Sequence, residues 1–287
     1  MTDLNPGEYD ATLNGIRFHY TLRGSGPALI AISGGPGFDA RAWDDFAKID
    51  QFVTVIQHHP RGSGLSEPAS NDAYLLADYA SDVEELRKHL KLDKPIVMGW
   101  SHGGMIAQRF AFTYPDSLSK LILKDTAAYF GEFLSDVEAS VTEFKDQLWY
   151  ADSLAALKQE WANDYQTDED MARLWTREAK FYFKHYGARE AAYNERIKDL
   201  SIRIAPLRAF NEKEAPTLDL RPHLNQIKVP TLVIVGRHDF ITNVAMAEEL
   251  VKHIPHARLE IFEDSGHFAV IEEPEKFYRV VKEFVLS

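Results

Sequence analysis

The sequence predicts an α/β protein whose mostly parallel sheet is flanked by helices, with a helical cap inserted into it. Short apolar runs alternate with amphipathic helical patterns in both outer parts of the chain, which is typical of strands joined by crossover helices. The alternation stops after Asp125 and resumes at Val229. A chain of 287 residues with 45% hydrophobic content is long enough for one large domain that carries such an insertion.

Strands and helices can be assigned in chain order. Asn14-Gly15 is a hairpin signal between the first two strands. The continuous apolar run at residues 28–32 is typical of a central strand. Strands are predicted at residues 7–12, 16–22, 28–32, 52–56, 118–123, 229–236 and 257–262, and after Pro95. Helices are predicted at residues 40–49, 73–90, 243–253 and 274–286, and after Gly103.

The middle of the chain carries a different pattern. Residues 129–211 are rich in aromatic and charged side chains at helical spacing and show no convincing strand. We therefore assign residues 1–128 and 212–287 to an α/β core and residues 129–211 to a helical cap. Mostly parallel sheets bind ligands at the carboxyl ends of their strands, so the functional residues are expected there.

Composition excludes several classes of function. The net charge of −12 argues against partners such as nucleic acid or an anionic membrane surface. Apolar runs are too short to span a membrane, and the first residues show no signal-peptide pattern. Without cysteine there can be no disulfide and no thiolate metal site. We expect a cytoplasmic protein that uses no metal and no cofactor, and the sequence leaves the oligomeric state open.

The spacing Gly99-x-Ser101-x-Gly103 lies between a predicted strand and a predicted helix. This is the context of a nucleophile elbow, a sharp turn that lifts the central side chain clear of the sheet. A side chain at either glycine would collide with the neighbouring strand or helix. The N-terminus of the following helix favours negative charge at the turn. Ser101 is therefore the predicted nucleophile.

A serine hydroxyl needs an adjacent base to attack at neutral pH. The chain order expected for this fold is Ser, then Asp or Glu, then His. His267 follows the last predicted strand, and Asp239 follows the strand at residues 229–236, so both are placed at carboxyl ends. We predict His267 as the base and Asp239 as the carboxylate that orients it. Asp125, at the end of the strand after the elbow, is the alternative carboxylate.

An acyl-transfer site also needs two N–H donors for the developing oxyanion. The backbone of His102, which directly follows the predicted nucleophile, is expected to supply one donor. The glycine-rich stretch at residues 33–37 is expected to supply the other, and within it we favour Gly35. This stretch lacks the Gly-x-Gly-x-x-Gly spacing of a dinucleotide-binding loop.

Taken together, these motifs resemble the α/β-hydrolase superfamily over nearly the full length of the chain. Within that superfamily the chain looks like the proline iminopeptidase (prolyl aminopeptidase) family of serine peptidases. The motifs that carry the resemblance are Gly34-Gly35-Pro36-Gly37, Arg61-Gly62-Ser63-Gly64-Leu65-Ser66, the elbow, the turn at residues 236–239 and Ser265-Gly266-His267. The chain has Ser33 where that family usually has histidine.

The resemblance implies that glutamates of the cap bind the free amino group of a peptide substrate. Glu212, next to Asn211, is similar to such a position, and a solvated surface charge is the alternative interpretation of this residue. Aromatic residues, among them Trp100 and Phe38, are expected to line an apolar acyl pocket.

We therefore predict a serine hydrolase that works through an acyl-enzyme on a small molecule or short peptide. An aminopeptidase on small peptides is favoured, and a carboxylesterase or lactonase on small neutral esters is the alternative. A buried carboxylate in the cap, facing Ser101, would separate the two, because an esterase pocket would be apolar throughout. A binding protein that has kept the fold for ligand capture is the third hypothesis.

Overall fold

The computed structural model describes residues 4–44, 46–70, 73–131 and 137–287. Its centre is one eight-stranded sheet in the order β1-β2-β4-β3-β5-β6-β7-β8. The strands are β1 Gly7–Leu13, β2 Ile16–Gly24, β3 Ala28–Ile32, β4 Thr54–His58, β5 Ile96–Trp100, β6 Lys120–Lys124, β7 Thr231–Gly236 and β8 Ala257–Phe262. Strand β2 is antiparallel to both of its neighbours, and the strands from β4 to β8 are mutually parallel. The predicted fold class is confirmed.

Helices connect and cover these strands. They are α1 Leu76–His89, α2 His102–Thr113, α3 Val137–Ser140, α4 Tyr150–Trp161, α5 Asp168–Glu178, α6 Ala188–Ile197, α7 Ile204–Ala209, α8 Arg221–Leu224, α9 Val244–His253, α10 Ala269–Glu272 and α11 Pro274–Leu286. Helices α3 to α8 occupy the stretch between β6 and β7. The division of the chain into a core and a cap domain stays a prediction. Within the described residues, no helix is long and apolar enough to cross a membrane.

Both faces of the sheet are buried. Successive side chains of a strand point to opposite faces, so the residues of one strand pack into two different hydrophobic clusters. On β7, Val233 and Val235 belong to the hydrophobic cluster that includes α1, α2 and α9. Leu232 and Ile234 belong to the opposite cluster, which includes α11. The central strands are thus held between two apolar layers, and only their ends are available for chemistry.

The predicted helix at residues 40–49 is wrong. The structure has two short 3₁₀ helices there, Ala40–Trp43 and Ile49–Gln51, and Asp45 between them lies outside the described residues. Ala47 and Lys48 have φ angles of 47° and 64°, which a right-handed helix cannot accommodate. The apolar spacing in this segment therefore reflects two separate turns rather than one helix.

Candidate active site

Ser101 lies at the junction of β5 and α2 in a strained backbone conformation. Its φ of 55° and ψ of −123° are rare for a residue with a side chain. Its backbone N–H donates to the Lys124 carbonyl at 3.0 Å, and Thr126 Oγ1 donates to the Ser101 carbonyl at 2.7 Å. This is the geometry expected of a nucleophile elbow.

Glycines surround Ser101 because the turn leaves no room for side chains. A Cβ at Gly99 would lie 2.2 Å from the Gly103 carbonyl oxygen, and a Cβ at Gly103 would lie 2.3 Å from the Ile32 carbonyl oxygen. A Cβ at Gly104, which the sequence pattern did not single out, would lie 2.5 Å from the Thr126 side chain. The close approach of α2 to the strands therefore requires small residues at all three positions.

His267 and Asp239 form a buried pair. His267 Nδ1 lies 2.8 Å from Asp239 Oδ2, and the two side chains are 1% and 0% exposed. Burial acts to raise the pKa of Asp239, but the contacts with His267 and Thr242 outweigh it and hold this pKa below its ordinary value. An ionised carboxylate can only accept, so Nδ1 carries the imidazole proton and Nε2 is left with its lone pair.

The alternative carboxylate, Asp125, accepts no hydrogen bond from His267 in the described part of the chain. Its Oδ1 accepts the Gly236 N–H at 2.9 Å, and its Oδ2 accepts a hydrogen bond from the Lys124 ammonium. Burial raises the pKa of Asp125, although Lys124 partly opposes the shift. The structure thus brings Asp239, and not Asp125, to the imidazole.

A cavity of about 310 Å³ lies beside these residues, in the size range of ligand pockets. Ser101, His267, His102, Gly35 and Phe38 all line it. Gly35 has a φ of 64°, and a Cβ at its neighbour Gly34 would lie 3.0 Å from Ser101 Cβ. The glycine-rich loop after β3 and the N-terminus of α2 therefore flank the serine, as an oxyanion site requires.

Two of the predicted substrate-binding residues lie elsewhere. Trp100 is buried beneath the site against Trp43 and Phe268, because its position before Ser101 directs its ring into the sheet's apolar layer. Glu212 is exposed on the π-helical turn Phe210–Glu214, while Phe210 and Asn211 of that turn line the cavity. Among the described residues that form the wall, neither Trp100 nor Glu212 is present.

A pair of glutamates that the sequence analysis missed does reach the cavity. Glu160, at the end of α4, lines it and contacts Glu178 at the end of α5. Glu160 Oε2 and both carboxyl oxygens of Glu178 are buried and receive no hydrogen bond from any donor of the described residues. Two buried carboxyls this close together avoid like-charge repulsion only if at least one of them is protonated.

Burial decides which glutamate holds that proton. It raises the pKa of Glu160 and, together with the adjacent Glu160 charge, raises the pKa of Glu178 well above its usual range. Glu178 is therefore the member that holds its proton more tightly, and Glu160 is the member that ionises more readily. The sequence signal was present, since Glu178 follows Met171, Leu174 and Trp175 at helical spacing, on the buried face of α5.

The loop of His267 is joined to the helical segment between β6 and β7. The His267 N–H donates to the Tyr182 carbonyl at 2.8 Å. The Glu272 carboxylate accepts the N–H groups of Gly266 at 2.7 Å and Lys184 at 2.8 Å. Burial raises the pKa of Glu272 to about 7, in spite of these hydrogen bonds. The position of the imidazole thus depends on contacts with the inserted helices.

This fold and site can be compared with known proteins. Residues 27–274 match the family described as the α/β-hydrolase fold, and the chain belongs to that family. Proline iminopeptidase of Saccharolobus solfataricus is 27% identical, and the match covers 94% of this chain and 89% of the relative. 3-Oxoadipate enol-lactonase 2 of Acinetobacter baylyi is 28% identical, with 95% and 92% covered. The crystal structure of the enol-lactonase from Burkholderia xenovorans LB400 superimposes with a TM-score of 0.76 at 25% identity, and covers 97% of this chain and all of that one.

These relatives are hydrolases, and their names state different substrates. The comparisons therefore support a hydrolase, and the choice of substrate has to come from the cavity itself.

Proposed function

We propose that the protein is a serine hydrolase in which Ser101 is the nucleophile, His267 the general base and Asp239 the orienting carboxylate. The proposal is supported by the strained turn at Ser101, by the 2.8 Å contact between His267 and Asp239, and by the cavity that Ser101 and His267 share. Asp239 holds the proton on Nδ1, which leaves Nε2 free to accept the serine proton.

The proposed reaction has two halves. Ser101 Oγ attacks the acyl carbon while His267 takes its proton, and the backbone N–H groups of His102 and Gly35 stabilise the oxyanion. The imidazolium then gives the proton to the leaving group as the bond to it breaks. Water, deprotonated by the same imidazole, attacks the acyl-enzyme and releases Ser101 for the next turnover.

For the substrate, we propose a small peptide with a free N-terminal amino group. The observation that carries this is the carboxyl of Glu160 in the cavity wall, backed by Glu178, which holds its proton more tightly. A glutamate that ionises in a buried place gains most from a cation, and a protonated amino group supplies one. Aromatic side chains such as Phe38 and Trp175 form much of the remaining wall and suit a small apolar residue such as proline. A relative named proline iminopeptidase is consistent with this choice.

The second candidate is an esterase or lactonase. It is favoured by the largely aromatic wall of the cavity and by relatives named enol-lactonase. On this alternative the Glu160–Glu178 pair would stay protonated and neutral during catalysis.

The first prediction concerns the nucleophile. Ser101→Ala removes the attacking oxygen, so turnover of any cleaved substrate should fall by roughly 10⁴-fold or more. Mass spectrometry should also show that a fluorophosphonate labels the native protein at Ser101 and does not label the variant. Matching thermal unfolding of both proteins is the control for folding. Undiminished turnover by Ser101→Ala would end the proposal.

The second prediction concerns the substrate's amino group. Glu160→Gln should raise KM for prolyl arylamide about 30-fold or more, because a buried charge pair with the substrate is lost. Cleavage of an uncharged aryl ester should change little. Glu212→Gln, which alters an exposed carboxylate outside the cavity wall, is the matched control and should leave both reactions unchanged.

Two outcomes would contradict the amine-binding role. One is an equal effect of Glu160→Gln on the arylamide and the ester. The other is a native protein that cleaves the ester and no arylamide, which would establish the esterase or lactonase candidate and leave the roles of Ser101, His267 and Asp239 intact.

A further inference from the structure

Lys124 and Asp125 form an ion pair at the carboxyl end of β6, behind the candidate triad. Their side chains are 1% and 0% exposed. Lysine is almost never fully buried unless it is paired, and a buried pair recovers its desolvation cost only through further hydrogen bonds. The burial of this pair therefore needs an explanation, and the hydrogen bonds that the pair makes to the surrounding loops provide one.

The pair touches the backbone of all three loops that carry the proposed triad. The Lys124 carbonyl accepts the N–H of Ser101 at 3.0 Å. The Lys124 ammonium donates to the carbonyl of His267 at 3.2 Å. Asp125 Oδ1 accepts the N–H of Gly236 at 2.9 Å, and the Gly236 carbonyl in turn accepts the N–H of Asp239 at 3.2 Å. Two adjacent residues at the end of one strand thus join loops that are far apart in sequence.

Lys124 is also fixed by an aromatic ring. Its Nζ lies 3.1 Å from the centre of the Trp100 ring, where the negative face of the π system attracts a cation. Trp100 directly precedes Ser101, so this contact holds the strand end on which the elbow is built. It also explains why Trp100 faces the interior and not the cavity.

Charge balance is the second consequence of the pair. The ionisable groups around Lys124 are Asp125, Asp239 and Glu272, and those around Asp125 are Lys124, Asp239 and His267. With both partners charged, Lys124 and Asp125 cancel, and Asp239 is the net negative charge beside the imidazole. Without Lys124, Asp125 would take up a proton, because a buried carboxyl with no cation beside it is neutral rather than charged.

We propose that the Lys124–Asp125 pair is a positioning element for the triad, which aligns the loops of Ser101, Asp239 and His267 and adds no net charge beside the imidazole. The inference rests on the proposed function, because it assigns the pair a role in placing those three residues. Neither side chain touches substrate on this proposal, and both act through the loops that they hold.

The experiment measures the second-order rate at which a fluorophosphonate labels Ser101, as a function of pH, in the full-length protein. This rate requires the serine and its base and needs no knowledge of the natural substrate. The variants are Lys124→Met, Asp125→Asn and the double variant. Lys120→Met is the matched control, because Lys120 lies on the same strand and also contacts carbonyl oxygens and an aromatic ring, but at the far end of the sheet.

Lys124→Met should lower the labelling rate at neutral pH about tenfold or more, since small displacements of catalytic groups are costly. Asp125 should take up a proton in this variant, so the midpoint of the pH profile should stay within about half a unit of the native midpoint. The double variant should behave like Lys124→Met, with a low rate and a near-native midpoint, because the hydrogen bond to the His267 carbonyl is missing in both. Lys120→Met should behave like the native protein.

Asp125→Asn provides a second test if Lys124→Met does not fold. It removes the charged partner that holds the Lys124 ammonium, so the labelling rate should fall as in Lys124→Met, again with a near-native midpoint. The proposal is overturned if a folded single variant is labelled at the native rate at every pH, or if the loss of rate comes entirely from a shifted midpoint. Failure of the native protein to be labelled at Ser101 would instead overturn the proposed function, so the two failures are distinguishable.

Discussion

Thr242 illustrates how far the candidate site depends on a single hydroxyl group. Its Oγ1 donates to Asp239 Oδ2 at 2.7 Å, the same oxygen that lies 2.8 Å from His267 Nδ1. Asp239 Oδ1 accepts the backbone N–H groups of Ile241 at 2.9 Å and Thr242 at 3.0 Å. These donors stabilise the ionised carboxylate and fix its direction toward the imidazole.

Replacing Thr242 with valine tests this hydroxyl. Thr242→Val keeps the side-chain shape and removes one hydrogen bond to a charged group, worth about 1.5–3 kcal/mol. We expect a lower thermal midpoint and a kcat reduced about tenfold with KM nearly unchanged. Thr176→Val is the control, because that hydroxyl bonds only a carbonyl of its own helix on the surface. A Thr242→Val protein with native kcat would show that the other donors suffice.

At the residue scale, the sequence predicts the position of a side chain best where a short local motif determines it. The placement of Ser101, His267 and Asp239 after strands could be predicted, because each follows an apolar run and the elbow has a specific spacing, and their catalytic roles stay a proposal. The contact of Thr242 with Asp239 could not be predicted, since it comes from the way the turn after β7 folds back on Asp239. The family resemblance suggested Glu212, next to Asn211, as an amine-binding position. In the structure the π-helical turn places Asn211 in the cavity wall and leaves Glu212 exposed to solvent.

At the scale of elements, helices α4 and α5 each end in a glutamate that is directed inward. A charged residue on the buried face of an amphipathic helix is costly unless it is paired or protonated. Glu160 and Glu178 meet this requirement because burial raises the pKa of both carboxyls and the Glu160 charge raises that of Glu178 further. The helices could be expected from the spacing of apolar residues, but the meeting of these two side chains depends on how α4 packs on α5.

The Glu160–Glu178 pair should change the way the free energy of unfolding depends on pH. A carboxyl whose pKa is raised by folding binds a proton more tightly in the folded state, so the free energy of unfolding falls as pH rises through that range. For Glu160 the range runs from its ordinary value of 4.5 to about 7. The double variant Glu160→Gln/Glu178→Gln should lose this part of the decline.

The measurement is thermal unfolding of the native and double-variant proteins across that pH range. Relative to the native protein, the variant should gain stability steadily from about pH 4.5, and the gain should continue above pH 7 because the pKa of Glu178 is raised further than that of Glu160. Glu272, which also has a raised pKa, is present in both proteins and cancels in the difference. A difference that does not change with pH would contradict the raised pKa values of this pair.

At the scale of the whole molecule, the order of strands in the sheet brings the residues of the candidate site together. Strands β3, β5, β6, β7 and β8 are consecutive neighbours, so the loops after them open at one edge. These loops contain Gly35, Ser101, Asp125, Asp239 and His267. The sequence indicated which residues follow strands. It did not indicate that β6 lies between the strands of the serine and the aspartate, which is what makes Lys124 and Asp125 central.

The hydrogen bond between the His267 N–H and the Tyr182 carbonyl crosses from the sheet to the inserted helices. The proposed base is therefore held in place by a segment outside the sheet. A displacement of these helices large enough to break this bond would remove one anchor of the imidazole, so the order of the site depends on how firmly the helices are packed.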